Sequence, residues 1–249
     1  LIFVAAFFAV FATDLPDTSK LYDVERQPSI SYLDRSGAMV AVRGSQYAPP
    51  IDLDKLPPYV PKAFIAIEDR QFYYHFGFNP WGIIRSQIYN LQNKGGPLRG
   101  GSTITQQLAR NLFLTTNQNY RRKAQELILA VWLEAKFTKK EILALYLNRV
   151  YFGGGAYGIE AASQRYFGKP ASQLTLGESA LLAGMMKGPN RYSPVSATDR
   201  AERRATIVLD EMVRTGAITP QERDEAFRTP VRVNPTLANQ RAQYFTDWV

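Results

Sequence analysis

Between Lys62 and Arg228 the sequence breaks into nine stretches of helical length and helical apolar spacing. They are expected at 62–74, 80–93, 102–114, 120–137, 139–150, 158–167, 176–186, 199–215 and 220–228. Several carry start signals. Ser102, Thr138, Thr175 and Thr219 stand where an N-cap belongs, and Pro220 suits a first helical position. A chain patterned this way folds as a mostly α protein.

The N-terminal quarter is different. Residues 1–12, LIFVAAFFAVFA, are apolar and uncharged. A membrane span needs about 20 such residues, so 1–12 is expected to be the outer end of a transmembrane anchor. The end of a signal peptide is the alternative. Either reading exports the rest of the chain. Residues 13–50 read as a linker with a β-hairpin, in which Ile30, Tyr32 and Leu33 precede the turn Asp34-Arg35-Ser36-Gly37, and Met39, Val40 and Val42 come after it. The helical domain is expected over 51–230, and 231–249 reads as a linker leading out of it.

Composition removes several chemistries. With no cysteine there are no thiolate nucleophiles, disulfides or Cys-built metal centres, and with one histidine there is no His-rich metal site. The formal charge of +8, from 30 Lys+Arg against 22 Asp+Glu, favours an anionic partner.

Four local patterns carry chemistry. Glu68-Asp69 comes after Ile67 at the margin of an apolar helix face, where partial desolvation fits an acid for proton transfer. A solvated acid pair at a helix end is the plainer alternative, and His75 nearby is by itself most simply structural. Gly100-Gly101-Ser102-Thr103 opens a helix whose first-turn N–H groups and dipole suit an anion, with Gln106, Gln107 and Arg110 further along. Ordinary capping explains the same residues, and the glycine-rich stretch 94–101 reads as a flap. Arg122 and Glu126 are four apart and share a helix face: a surface ion pair, or a second carboxylate beside a phosphate-binding arginine. Arg203-Arg204 is a further basic pair.

In order and spacing, EDRQFYYHFG (68–77), GGSTITQQLARN (100–111), RKAQE (122–126), KKEILALYLNRVYFGGGAYGIEAAS (139–163) and RRATIVL (203–209) resemble the motifs of the peptidoglycan glycosyltransferase domain. That domain occurs in class A penicillin-binding proteins and monofunctional transglycosylases. The resemblance covers about 50–230, and the flanks resemble the bifunctional type, although no Ser-x-x-Lys or Lys-Thr-Gly of a transpeptidase occurs.

The resemblance implies a lysozyme-like fold with a large lobe and a small membrane-facing jaw, to which 80–91 could contribute; an ordinary core helix there is the alternative. It implies polymerisation of lipid II into β-1,4-linked glycan on the outer face of the cytoplasmic membrane, with inversion and release of undecaprenyl pyrophosphate. By motif position Glu68 is the general base, supported by Asp69, Phe72 and His75. Glu126 is the second carboxylate, near the donor pyrophosphate and placed where it could orient a divalent cation. Ser102, Thr103, Gln107, Arg110, Asn111 and Arg122 line the donor site, and Arg203 and Arg204 bind substrate. No cofactor is required; a divalent cation (Mg or Mn) could accompany the pyrophosphate. The expected partners are lipid II, the growing lipid-linked glycan and cell-wall synthesis proteins. Three positions depart from the family pattern: Arg110 in place of Lys, Gln118 in place of a frequent Arg, and Asn79 in place of Asp. A lysozyme-like wall-cleaving enzyme is the alternative activity. A membrane-anchored scaffold or a nucleic-acid binder is the non-enzymatic one, opposed by the export signal and by the two carboxylates.

Overall fold

The computed structural model describes residues 30–33, 35, 39–43, 46–93, 100–114 and 120–234. The expected anchor at 1–12, the first part of the linker, residues 94–99 of the flap, Gln118 and the exit segment from 235 lie outside these. Among the described residues the chain is mainly helical, with nine α-helices, four short strands and two 3-10 turns. No helix among them is long and apolar enough to cross a membrane.

Strands β1 (Ile30–Leu33) and β2 (Met39–Arg43) pair antiparallel, with Ser31 opposite Val42. β3 (Gln46–Tyr47) and β4 (Ala156–Tyr157) form a short parallel pair. The helices are α1 (Tyr59–Glu68), α2 (Pro80–Gln92), α3 (Ile104–Phe113), α4 (Tyr120–Lys136), α5 (Lys139–Arg149), α6 (Ile159–Phe167), α7 (Leu176–Met185), α8 (Thr198–Arg214) and α9 (Pro220–Arg228).

Two boundaries differ from expectation for identifiable reasons. The first helix ends at Glu68 and not near Tyr74, because the chain then tightens into turns: Phe72 N donates to Asp69 O at 3.0 Å and Tyr74 N to Gln71 O at 2.8 Å. The N-cap of α3 is Thr103, not Ser102. Only Thr103 has a glutamine three residues on, and Gln106 closes a reciprocal capping box with it. The same box forms at Thr175 with Glu178 and at Thr219 with Glu222. Thr138 and Glu141 exchange equivalent bonds at 2.8 and 3.3 Å. Hydrogen bonds from the Thr backbone N–H and then the Thr hydroxyl hold Glu141 and Glu222 below the ordinary carboxylate range.

The described residues form two compact units, one within 68–146, the other within 30–67 and 147–234. In the first, α3 packs on α4. Ile104, Leu108 and Ala109 are fully buried on one, Leu129, Ala130 and Leu133 on the other, at the i, i+4 spacing of helix faces. Gly77 has φ +82°, and a Cβ there would stand 2.9 Å from the backbone of Ala130, so only glycine lets this turn lie against α4. Helix α2 is the exception in the unit. It buries only Ser86 and exposes Trp81, Ile84, Ile88 and Leu91, so it is not a core helix.

In the second unit α7 is buried from Glu178 to Met185 and packs on α8, which buries Val208, Leu209 and Met212. Phe64 of α1 meets Phe152 edge to face at 5.9 Å. The Asn148 side chain pairs with the Ile51 backbone, accepting from its N–H and donating to its carbonyl, each at 2.9 Å. At Gly158, φ is +84° and a Cβ would lie 2.5 Å from Asn148 O.

Gly158→Ala combines left-handed strain with a backbone clash and should destabilise the chain by well over about 1 kcal/mol. Gly216 has φ +70° with open space around it, so Gly216→Ala should cost about 1 kcal/mol. Denaturant midpoints at unchanged m value check the ranking; equal losses would refute the role given to the Asn148 contact.

Candidate active site

The acid pair at the end of α1 splits into two roles. Asp69 is buried, and its carboxylate accepts the Ile104 N–H at 3.0 Å and faces His75 Nε2 at 2.9 and 3.0 Å. It therefore sits at the positive end of α3. Glu68 is only half-buried, and its Oε2 accepts from Gln107 Nε2 at 2.8 Å. Gln107 lies three residues beyond Ile104, so a single helix start positions both acids.

This corrects one expectation. The start of α3 is not an open cradle for an external anion. The Ile104 N–H goes to Asp69, the Gln106 N–H to Thr103 Oγ1 and the Gln107 N–H to Thr103 O. Thr103 itself is buried, and its hydroxyl donates to Gly77 O at 2.7 Å. The helix dipole acts on an internal carboxylate.

The turn after Asp69 is braced from three helices. Thr105 Oγ1 of α3 donates to Glu134 Oε1 of α4 at 2.6 Å, and Lys139 Nζ of α5 lies 2.7 Å from the same oxygen. Lys139 also donates to His75 O at 2.7 Å and stands 4.6 Å above the Phe72 ring. Phe72 is fully buried, and its ring meets His75 edge to face at 6.4 Å. Phe72 and Asp69 therefore support the turn and offer no surface to a ligand. His75 Nδ1 is buried and has no hydrogen-bond partner.

A second polar cluster surrounds Glu126, whose side chain is 0% exposed. Its Oε1 is 2.6 Å from Lys123 Nζ, and its Oε2 is 3.9 Å from Arg110 Nη1. Lys123 also donates to Ser102 Oγ at 2.8 Å. Arg122 is half-buried and Asn111 exposed. The cluster holds more positive than negative charge, which suits an anionic group. Asn79, in place of the family's Asp, caps α2 by accepting from Gly82 N at 2.9 Å. Arg203 and Arg204 lie on α8 of the second unit, the first exposed and the second half-buried, its stem against Gly184.

Of the Glu126 oxygens, Oε1 is held by Lys123, while Oε2 is buried without a hydrogen-bond partner, 3.9 Å from Arg110 Nη1. Among the described residues no three His, Asp or Glu side chains gather to hold a metal ion. Sequence reasoning missed Lys123, although its place three residues before Glu126 was a usable signal. It also missed Tyr146, Glu134 and Lys139, whose partners are distant in the chain.

Lys123→Met strips the buried carboxylate of its closest cation. It should cost about 1–2 kcal/mol, discounted because the lysine is half exposed. Adding Glu126→Gln should recover most of that loss in thermal melts; no recovery would mean that Lys123 stabilises by packing.

The transglycosylase family model matches residues 36–213. Penicillin-binding protein 1A of Aquifex aeolicus (strain VF5) is 42% identical over 236 residues, covering 95% of this chain and 32% of the relative. Penicillin-binding protein 1A of Escherichia coli (strain K12) is 44% identical over 220 residues, covering 88% and 26%. Penicillin-binding protein 1F of Bacillus subtilis (strain 168) is 41% identical over 194 residues, covering 78% and 27%. The chain thus spans about a third or less of these relatives' length. The crystal structure of penicillin-binding protein 1A from Haemophilus influenzae shares the fold at TM-score 0.50 and 24% identity, covering 85% of this chain and 22% of that one.

Proposed function

The chain belongs to the transglycosylase family, and on that premise we propose that it is a peptidoglycan glycosyltransferase that polymerises lipid II. The 4-hydroxyl of the acceptor sugar attacks the anomeric carbon of the donor. The new O4–C1 bond forms as the bond from C1 to the pyrophosphate oxygen breaks, so the α-linked donor becomes a β-1,4 linkage with inversion. Glu68 takes the hydroxyl proton, and undecaprenyl pyrophosphate leaves.

The observation that carries this reading is the placement of two unlike acid environments along one helix. Gln107 of α3 holds Glu68, half-buried with a donor on one oxygen. Three residues on, Arg110 faces Glu126 in a cluster rich in cations. A base belongs at the first, and at the second fixed positive charge can meet the negative charge that develops on a leaving pyrophosphate. Arg110, Arg122 and Lys123 are the residues assigned there. A divalent cation that takes part accompanies the pyrophosphate. The wall-cleaving alternative has no use for such a cluster.

The fold is read as lysozyme-like, with α2 in the membrane-facing jaw. Its exposed Trp81, Ile84, Ile88 and Leu91 support that reading, because such an apolar face suits a lipid surface. With an anchor at 1–12, the catalytic part stands on the periplasmic face of the cytoplasmic membrane. Its partners there are lipid II, the lipid-linked glycan and other cell-wall synthesis proteins, and not nucleic acid.

Glu68→Gln should lower lipid II polymerisation in detergent by about 10²–10⁴-fold with the fold intact. A rate near that of the unaltered chain would refute the role of base, and release of fragments from preformed wall in place of long glycan would favour the cleaving enzyme. Trp81→Ser with Leu91→Ser should reduce flotation with anionic vesicles while sparing turnover in detergent. Unchanged flotation would remove α2 from the jaw.

A further inference from the structure

We propose that Tyr146 is a positioning residue for the base: its phenol fixes the Gln107 amide so that the N–H side, and not the oxygen, faces Glu68. The inference rests on the reading of Glu68 as base. Tyr146, on α5, is fully buried, and its O–H donates to Gln107 Oε1 at 3.2 Å. The other end of that amide, Nε2, donates to Glu68 Oε2 at 2.8 Å.

A primary amide has nearly the same shape either way round, and turning it over exchanges donor for acceptor. With Tyr146 present, turning it over takes away the acceptor of a buried O–H, which is costly. It also sets an amide oxygen against the carboxylate. The arrangement therefore favours ionised Glu68, the form able to accept a proton. Without the hydroxyl, a turned amide can accept from a protonated Glu68 at no such cost, and the neutral acid gains.

The surrounding charges keep Tyr146 a donor. Burial, then the Glu68 charge and, further down, that of Asp69, hold the phenol well above its ordinary range; Arg110 of α3 opposes them. Asp69 in turn faces His75. The phenol thus stays protonated wherever a carboxylate base works.

The test is the pH–rate profile of lipid II polymerisation by the full chain, for the unaltered protein, Tyr146→Phe, Gln107→Ala and the double variant. In Tyr146→Phe the acidic limb should move up by about one pH unit, with KM for lipid II unchanged. In the Gln107→Ala background the same change should move the limb no further. A uniform loss of rate with the limb in place overturns the proposal, as does an equal shift without Gln107. Replacement of Tyr146 by 3-fluorotyrosine, nearly the same shape and a stronger donor, should move the limb down, and an unmoved limb also counts against it. If Glu68→Gln keeps full rate, the reading of the base falls and this inference with it. If Glu68→Gln is inactive and the Tyr146→Phe limb stays in place, only the inference falls.

Discussion

The Asp69 carboxylate ties the turn after Glu68 to the start of α3, and the site hangs on that joint. One oxygen takes the first helical N–H of α3, and the His75 ring lies against both. A buried carboxylate is tolerated because it has a hydrogen-bond donor, a helix dipole and an imidazole within reach. Once Asp69 is fixed, the preceding residue, Glu68, is left half-buried with Gln107 one helical step along. The rest of the first unit braces this joint, through Thr105, Glu134 and Lys139 below the turn and Gly77 against α4.

Much of the helical frame was legible in the sequence, because it rests on local signals. Thr219 with Pro220 after it placed α9 to the residue. Local reasoning failed where a distant partner decides. Nothing near Asp69 announces that its carboxylate goes to a backbone N–H 35 residues on, which is why the first helix looked longer than it is. Ser102 and Thr103 are equivalent as caps by residue type, and only the return bond from Gln106 separates them.

The site residues divide along the same line. Glu68, Gln107, Arg110 and Glu126 were named from motif order, and the structure brings Gln107 to Glu68 and Arg110 to Glu126. Tyr146 was not, because in sequence it is one more aromatic on the buried face of a helix, and only its hydroxyl contact sets it apart. Lys123 lies inside the RKAQE motif but next to Arg122, whose type and spacing gave the stronger signal. The anion cradle expected at the α3 start turned out to hold an anion of the protein's own.

That internal anion links the order of the helix to the order of the acids. If the first turn of α3 frays, the Ile104 N–H leaves Asp69, and the bond that orients Glu68 loosens with it. The two events are one local opening, since the same short segment carries both contacts. Amide exchange at Ile104 therefore measures how often the Asp69 and Glu68 contacts are in place together, with no substrate present and no reaction run.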